Sequence, residues 1–519
     1  MQGLPIEKIV FGKTDAFKEL QACGQDYFVN SFVSNPKYHI DEFLNGQRYY
    51  ICGKKGTGKS AFLRYLEYEF SKKTNNLVFS IRFKSEFDQI DKDSFDNIAI
   101  KTTNPLEEPK FDANHLTDQT TYVYVWKTFL INQIVARSNI EGRSVFEDDD
   151  SFRTMISLLK CIYGDDNKKY MVMPKIKKGT VELTTSFALS LSASLKIELD
   201  FDSKKNRINY QKLIKKICLI FNSLKFSKSP VYVLIDELEL SVRNKFQYNK
   251  DIALVRDLII AIDELNSSCL ENHFNIHFMA SIRSEVVNSV CSAGYELTKP
   301  IEDSGVEVNW FQKGGNYTEN PLLQIIENKI HASEILNGCP ISSNVWSTYF
   351  DEKINGEEVR KFILNNSLYR PRDIIRMMLA IHDQHTASTK FSQELFDKAQ
   401  QEYSRKMWNE ITDELRLTYN EDEIDAIFTL LNRITLPFTY ETLQKRIDLQ
   451  KNIYPNIKTF FEKEKLITVL AKLYDLGVIG NTGARMNFIF QGGSQIDPLE
   501  QMVIHTPLRN FFSVKYTQH

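Results

Sequence analysis

The chain lacks most of the features that would place it outside a reducing aqueous compartment. No apolar run approaches the about 20 residues that a membrane-spanning helix needs, and no basic segment followed by an apolar one opens the sequence, so neither a span nor secretion is expected. Net charge is nearly absent: 65 Lys and Arg against 67 Asp and Glu leave a formal −2. That excludes a global basic field recruiting nucleic acid or anionic lipid, and any such contact must be a local patch. The seven cysteines (Cys23, Cys52, Cys161, Cys218, Cys269, Cys291 and Cys339) are scattered, odd in number and without a C-x-x-C pair. Free thiols in a cytoplasmic protein are the expectation. What remains is ordinary: 42% hydrophobic, 25% charged and 12% aromatic residues over 519 positions, a folded chain too long for one core.

One stretch organises the rest. The apolar run Tyr49-Tyr50-Ile51-Cys52 leads into Gly53-Lys54-Lys55-Gly56-Thr57-Gly58-Lys59-Ser60, followed by Ala61 and apolar residues at helical spacing to Phe70. Strand, G-x-x-x-x-G-K-[ST] and helix in that order form a phosphate-binding loop. Glycines reach positive φ without a Cβ clash, so successive N–H groups turn inward onto a phosphate chain, and the helix N-terminus adds a dipole that favours anions. In this reading Gly53, Gly56, Thr57, Gly58, Lys59, Ser60 and Ala61 bind nucleotide, Lys59 reaches the β and γ phosphates, and Ser60 holds Mg²⁺.

The partner of such a loop is a buried strand ending in carboxylates, and Val231-Tyr232-Val233-Leu234-Ile235-Asp236-Glu237 fits. Asp236 would position Mg²⁺ through water and Glu237 would polarise the attacking water. A helix over 251–266 crosses to the strand Ile276–Arg283, whose Ser281 and Arg283 would stand near the γ-phosphate. Farther on, Arg370-Pro371-Arg372-Asp373 heads a helix; Arg372 would contact the γ-phosphate from a second domain, and a surface ion pair with Asp373 is the plain alternative.

Between these anchors the pattern is irregular. Residues 1–48 carry a helix from Glu19 to Tyr27 and read as a cap on the sheet, with a contact to the nucleotide base as the alternative; 85–205 is an insert. Within it, 122–131 reads as a helix, Glu147–Asp150 as a solvated acidic loop, and 180–199, alternating apolar and small residues, as a long strand or hairpin with few charges on its edge. Lys212, Lys215 and Lys216 cluster on a helix over 210–224 and read as a solvated face, with nucleic-acid contact as the alternative. Residues 301–420 read as a helical lid subdomain. In 421–519, helices at 421–431, 440–447 and 466–476 precede a hairpin of 478–481 and 486–490, a winged helix. Its 11 basic and 11 acidic residues cancel, and its recognition helix carries only Lys472 and Asp475, which favours a protein contact over DNA reading.

Phosphate loop, Asp236-Glu237 strand, Ser281-Ile282-Arg283, Pro371-Arg372 and winged helix, in that order, resemble the signal-transduction (STAND) and origin-recognition branches of the AAA+-like P-loop ATPases. More narrowly, the Gly53–Ala61 and Tyr369–Ile375 motifs look like those of a little-characterised group of bacterial P-loop ATPases, some linked to phage defence. The resemblance spans about 49–84 and 208–491 and implies an α/β fold: a parallel P-loop core over 49–300 with a β-containing insert, the lid and the wing. It implies an ATPase that uses ATP and Mg²⁺, with Lys59, Glu237, Arg283 and Arg372 catalytic and Ser60 and Asp236 on the metal, self-associating and coupled to a protein effector, with nucleic acid as a further partner and no membrane. A second reading is an ATP-regulated DNA-binding or loading protein of origin-recognition type; a third is a scaffold recruiting an effector through 180–199. Gln491–Gln495 superficially resembles the transporter ATPase signature, but it follows the Asp-Glu strand instead of preceding it and reads as a wing-end loop.

Overall fold

The computed structural model of the chain describes residues 3–35, 38–83, 122–164, 180–183, 188, 191–227, 229–238, 245–292, 297–384, 387–483 and 486–516. The chain forms two compact units, one of Met1–Pro36, Gly56–Ala61 and Asn309–His519, the other of Lys37–Lys55 and Phe62–Val308.

The second unit holds strands β1 (Tyr50–Gly53), β2 (Leu77–Arg82), β3 (Thr180–Glu182), β4 (Arg207–Asn209), β5 (Val231–Leu238), β6 (Ile276–Arg283) and β7 (Gly305–Glu307). Five of them make a parallel sheet in the order β2-β5-β6-β1-β7. β5 is buried along nearly its whole length, which explains its unbroken apolar run: a parallel strand covered on both faces has no polar side to present. Leu254, Leu258, Ile259 and Ile262 are buried along the Lys245–Glu271 helix, and Phe62, Leu63, Leu66 and Phe70 along the Lys59–Ser71 helix. Phe70 stacks on Tyr232 of β5 at 3.9 Å, and the Tyr50 hydroxyl donates to the Ile259 carbonyl at 2.7 Å. These contacts put the C-terminal ends of β1, β5 and β6 side by side, with β6 between the strand that feeds the loop and the strand that carries the carboxylates.

The insert differs from expectation where it is described. The alternating stretch 180–199 is not a long strand: β3 is three residues paired antiparallel with β4, and Ala193–Glu198 is helical. Ser and Ala carry little strand preference, and the Ser192 hydroxyl accepts from the Leu195 N–H at 3.3 Å, capping a helix instead. Residues 85–121, 165–179, 184–187 and 189–190 of the expected insert lie outside the described residues. The acidic run is part of a helix start: Asp149 accepts from the Phe152 N–H at 2.9 Å and Asp148 pairs with Arg153 at 2.8 Å. Lys212 and Lys216 pair with Asp200 and Glu198, both at 2.7 Å, so two of the three lysines in the cluster are locally neutralised.

In the first unit the expected helix from Glu19 to Tyr27 is two, Ala16–Cys23 and Gln25–Ser31, broken at Gly24 with φ 83°. Buried Glu19 receives Lys329 of the Pro321–Leu336 helix at 2.6 Å. The Pro371–His382 helix buries Ile374, Ile375, Met377 and Met378 and packs along the Gln393–Leu415 helix. Asp373, fully buried, does not pair with Arg372. It accepts the Arg370 fork at 2.8 and 3.1 Å and the Leu368 N–H at 3.2 Å, which closes the turn ahead of the helix. Removing one member of a buried pair strands the other's charge, so Asp373→Ala is expected to cost about 3–5 kcal/mol. Thermal denaturation should register this as a midpoint lower by roughly 10 °C; an unchanged midpoint would mean that the pair contributes nothing.

The C-terminal region has helices Glu421–Leu431, Tyr440–Gln450, Pro455–Lys463 and Leu466–Asp475, then Ile479–Thr482 paired antiparallel with Met486–Asn487 and with Met502–Ile504. The helix at 455–463 escaped the sequence reading, although Pro455 at its first turn is a start signal. The wing's second strand is shorter than expected because Ile489–Gln491 winds into a 3₁₀ turn ended by Gly492 at φ 82°.

Candidate functional site

β1 ends at Gly53, opposite Arg283 in the β1–β6 register, and the chain then turns through Lys54–Gly58 into the Lys59–Ser71 helix. Gly56 and Gly58 take φ 83° and 93°, conformations that residues with a Cβ rarely adopt. At Gly56 the space is also closed, since a Cβ would stand 3.2 Å from Cβ of Arg372 and 3.4 Å from its Cδ. Two donors of the same unit take the loop's carbonyls: the Arg372 N–H donates to Gly56 O at 3.3 Å, and Trp310 Nε1 donates to Thr57 O at 2.9 Å. In a trans peptide the C=O and the following N–H point opposite ways, so the N–H groups of Thr57 and Gly58 face away from those donors. Lys59, 8% exposed, then opens the helix, with Ser60 and Ala61 half-buried behind it. First-turn N–H groups of a helix have no intrahelical acceptor and concentrate positive potential. The turn thus delivers Lys59 to the first turn of the helix, where that potential is concentrated.

On β5, Asp236 is 4% exposed and accepts a hydrogen bond from the Ser281 hydroxyl of neighbouring β6. Immediately after it the β5–β6 register slips: Ile235 faces Ala280, yet Leu238 faces Ile282, so β5 carries one extra residue. Glu237 sits in that bulge at φ 61°, a left-handed conformation costing about 1 kcal/mol or more for a side chain of this kind. A bulge re-aims a side chain out of the strict alternation, and strain of this sort persists where the surroundings impose it. Ser281, expected from the sequence to stand near the γ-phosphate, donates to the Asp236 carboxylate. Arg283, half-buried, closes the β6 strand end across from Gly53.

Arg372 belongs to a compact charged cluster. Its Nη1 donates to Glu410 Oε1 at 2.9 Å; Arg376 Nη1 meets Glu410 Oε2 at 2.5 Å and Asp373 Oδ1 at 3.7 Å; Arg370 chelates Asp373. Burial pushes the Glu410 carboxyl up, but Arg370, Arg376 and Arg372 outweigh it and hold the group far below the ordinary range. Burial likewise opposes the Arg370 charge, and Asp373 and Glu410 more than compensate. The surface ion pair considered for Arg372 is therefore replaced by a buried network with different partners. Trp310 and Glu410 were both missed by the sequence reading. Neither lies in a motif: Trp310 stands alone after β7, and Glu410 is 38 positions from Arg372 on another helix. Asn320 Nδ2 donates to the Trp310 backbone carbonyl at 3.2 Å and fixes the main chain there, and that contact too has no local sequence signature.

Comparison with known families adds two findings. Residues 23–242 match the family described as ORC-CDC6-like, a family of P-loop ATPases, and residues 320–412 match the FunZ-associated C-terminal helical domain. The first match starts well before the phosphate loop, runs across the insert and ends just beyond Glu237; the second contains Arg372 and Glu410. The chain is thus similar to origin-recognition-type P-loop ATPases in its N-terminal region and carries a C-terminal helical region. No curated protein matches the chain. Among the described residues, no helix is long and apolar enough to cross a membrane.

Proposed function

We propose that the chain is a Mg²⁺-dependent ATPase switch whose nucleotide state drives movement of the helical lid (301–420) and winged helix (421–519) and assembly with a partner in the cytoplasm. The observation that carries the reading is the loop itself: Gly56 and Gly58 at positive φ, the Gly56 and Thr57 carbonyls taken by Arg372 N–H and Trp310, and Lys59 at a helix start. A loop of this kind suits a phosphate chain better than a plain turn, which has no need of a lysine there.

Each residue then has a distinct task. Thr57, Gly58, Lys59, Ser60 and Ala61 supply N–H groups to the phosphates, with Gly53 and Gly56 giving the chain its path. Lys59 bridges the terminal phosphates. Mg²⁺ takes hard oxygen ligands and keeps several waters, so one hydroxyl from Ser60 and the Asp236 carboxylate, reached through water, fit its needs. When bound it neutralises phosphate charge. Ser281 keeps Asp236 oriented. Glu237 accepts the proton of the attacking water, and Arg283 and Arg372 stabilise charge on the transferred group.

An arginine at such a position can also come from a neighbouring copy, which makes self-association part of the proposal. The resemblance of the Gly53–Ala61 and Tyr369–Ile375 motifs to bacterial defence ATPases makes anti-phage defence the setting we infer.

The alternative, an ATP-regulated DNA-binding or loading protein, draws support from the ORC-CDC6-like match over 23–242. Against it stands the Leu466–Asp475 helix, whose only charges are Lys472 and Asp475. Phosphate release should be measured on the purified chain with Mg²⁺ and ATP, then with double-stranded DNA, single-stranded DNA or RNA. The expected result is turnover indifferent to all three, pointing to a protein trigger. Turnover that rises with one nucleic acid, and falls back as salt is raised, would put the DNA-linked reading first. No turnover under any condition would sink the ATPase.

A further inference from the structure

Glu410 has no task in the reaction just described, yet it is 7% exposed and receives two of the three arginines in its cluster. The arginines are not equivalent. Arg370 is chelated by Asp373 through two bonds, and Arg376 touches both Glu410 and Asp373. Arg372 has its backbone N–H on Gly56 O and its stem against Gly56, so the root of its side chain is fixed beside the phosphate loop. Its guanidinium turns to Glu410, and it is the least enclosed of the three, with 26% of its side chain exposed against 14% for Arg370 and Arg376.

If Arg372 let go, Glu410 would keep Arg376, so no carboxylate would be left buried without a cation. Three guanidiniums over two carboxylates make one of them exchangeable, and geometry selects Arg372. A phosphate is the natural replacement, because a guanidinium binds carboxylate and phosphate oxygens with the same planar fork.

We propose that Glu410 is a positioning residue that holds the Arg372 guanidinium until the terminal phosphate of a nucleoside triphosphate draws it away, and so sets the chain's preference for triphosphate over diphosphate. This rests on the nucleotide-binding reading of the loop. A ligand shifts an equilibrium only by its differential affinity for the two states. The α and β phosphates are common to both nucleotides, so a difference between the two must come from the terminal phosphate competing with Glu410. The carboxylate then acts as a threshold, lowering triphosphate affinity and leaving diphosphate affinity alone.

The test is a titration of the full chain with adenosine 5′-(β,γ-imido)triphosphate and with ADP, both with Mg²⁺, alongside a thermal midpoint for each variant. In Glu410→Gln, which keeps the shape and removes the charge, the ratio of triphosphate to diphosphate affinity is expected to rise about tenfold, the scale of one charge-assisted hydrogen bond. In Arg372→Ala the same Glu410→Gln change should leave the ratio where it is. A folded Glu410→Gln protein with the wild-type ratio overturns the proposal, as does an equal rise in the Arg372→Ala background, which would make the effect one of general charge. Should Glu410→Gln fail to fold, Glu410→Asp, with the charge kept and the reach shortened by one methylene, is read against the same two outcomes. Lys59→Ala separates the proposal from its premise: if that variant binds both nucleotides as the wild type does, the loop reading is wrong and Glu410 has nothing to gate. If it loses both while the Glu410 variants keep the wild-type ratio, only the gate fails.

Discussion

Lys59→Ala is expected to lose Mg²⁺-ATP binding and turnover together. The lysine is 8% exposed at the first turn of the Lys59–Ser71 helix, where positive potential is concentrated. Truncating one partner of a desolvated, hydrogen-bonded charge pair costs about 2–5 kcal/mol, hence roughly a thirtyfold to several-thousandfold weaker complex. Alanine is the best helix former, so the first turn has no intrinsic reason to unwind, and the loss would be one of binding rather than folding. Calorimetric titration with ATP, with circular dichroism as a folding check, measures the effect directly. Hydrolysis at the wild-type rate by Lys59→Ala would remove the phosphate loop from the mechanism, and with it the assignment of Gly53, Gly56, Thr57, Gly58, Ser60 and Ala61.

Glu237→Gln is expected to separate binding from chemistry. Glutamine has nearly the shape of glutamate and meets the same penalty at φ 61°, so the bulge after Ile235 should be kept and Asp236 should still receive Ser281. What the amide cannot do is accept a proton. Loss of a positioned general base lowers turnover by about 10²–10⁴-fold, and nucleotide affinity should stay within a small factor of the wild type. Single-turnover phosphate release with a parallel binding titration reads both quantities. Weak binding by Glu237→Gln would make the residue structural, a strained strand end, and would shift the search for a base to another group.

The two variants bear on different parts of the molecule. Lys59 belongs to a motif of eight consecutive residues that carry their own geometry. Glu237 depends on a register slip between two strands, and nothing in Val231–Glu237 announces that Ile235 and Leu238 will face residues only two apart on β6. The Asp236–Ser281 hydrogen bond joins residues 45 positions apart, and no local pattern pairs them. Strand-end polar residues are easy to find and hard to pair, because pairing is set by the order of strands in the sheet.

The helical elements show the same division. The stripe Leu254, Leu258, Ile259 and Ile262 marks a buried helix face from sequence alone, and the Pro371–His382 helix follows from a proline start and an apolar face. The stretch 180–199 failed for a physical reason: alternating Ser, Ala and Leu fits either period, and a single Ser192 cap suffices to tip part of it into a helix. At 19–27 the break at Gly24 has no clear local signal, because an isolated glycine in a helical pattern can be tolerated as well as terminate it.

By itself the sequence determined the local chemistry: a glycine-rich turn able to expose backbone donors, a lysine and a serine at the helix it feeds, an apolar strand that ends in two carboxylates, and an arginine behind a proline at a helix start. These are short-range properties, carried by φ preferences, hydropathy and side-chain type over a few residues. Only the tertiary structure decided that β6 lies between β1 and β5, that Ser281 answers Asp236, that Trp310 and the Arg372 N–H hold the back of the phosphate loop, and that Glu410 and not Asp373 receives the Arg372 guanidinium. Those choices depend on contacts between residues far apart in the chain. Their free energy comes from burial and charge pairing summed over whole elements, and no local pattern records it.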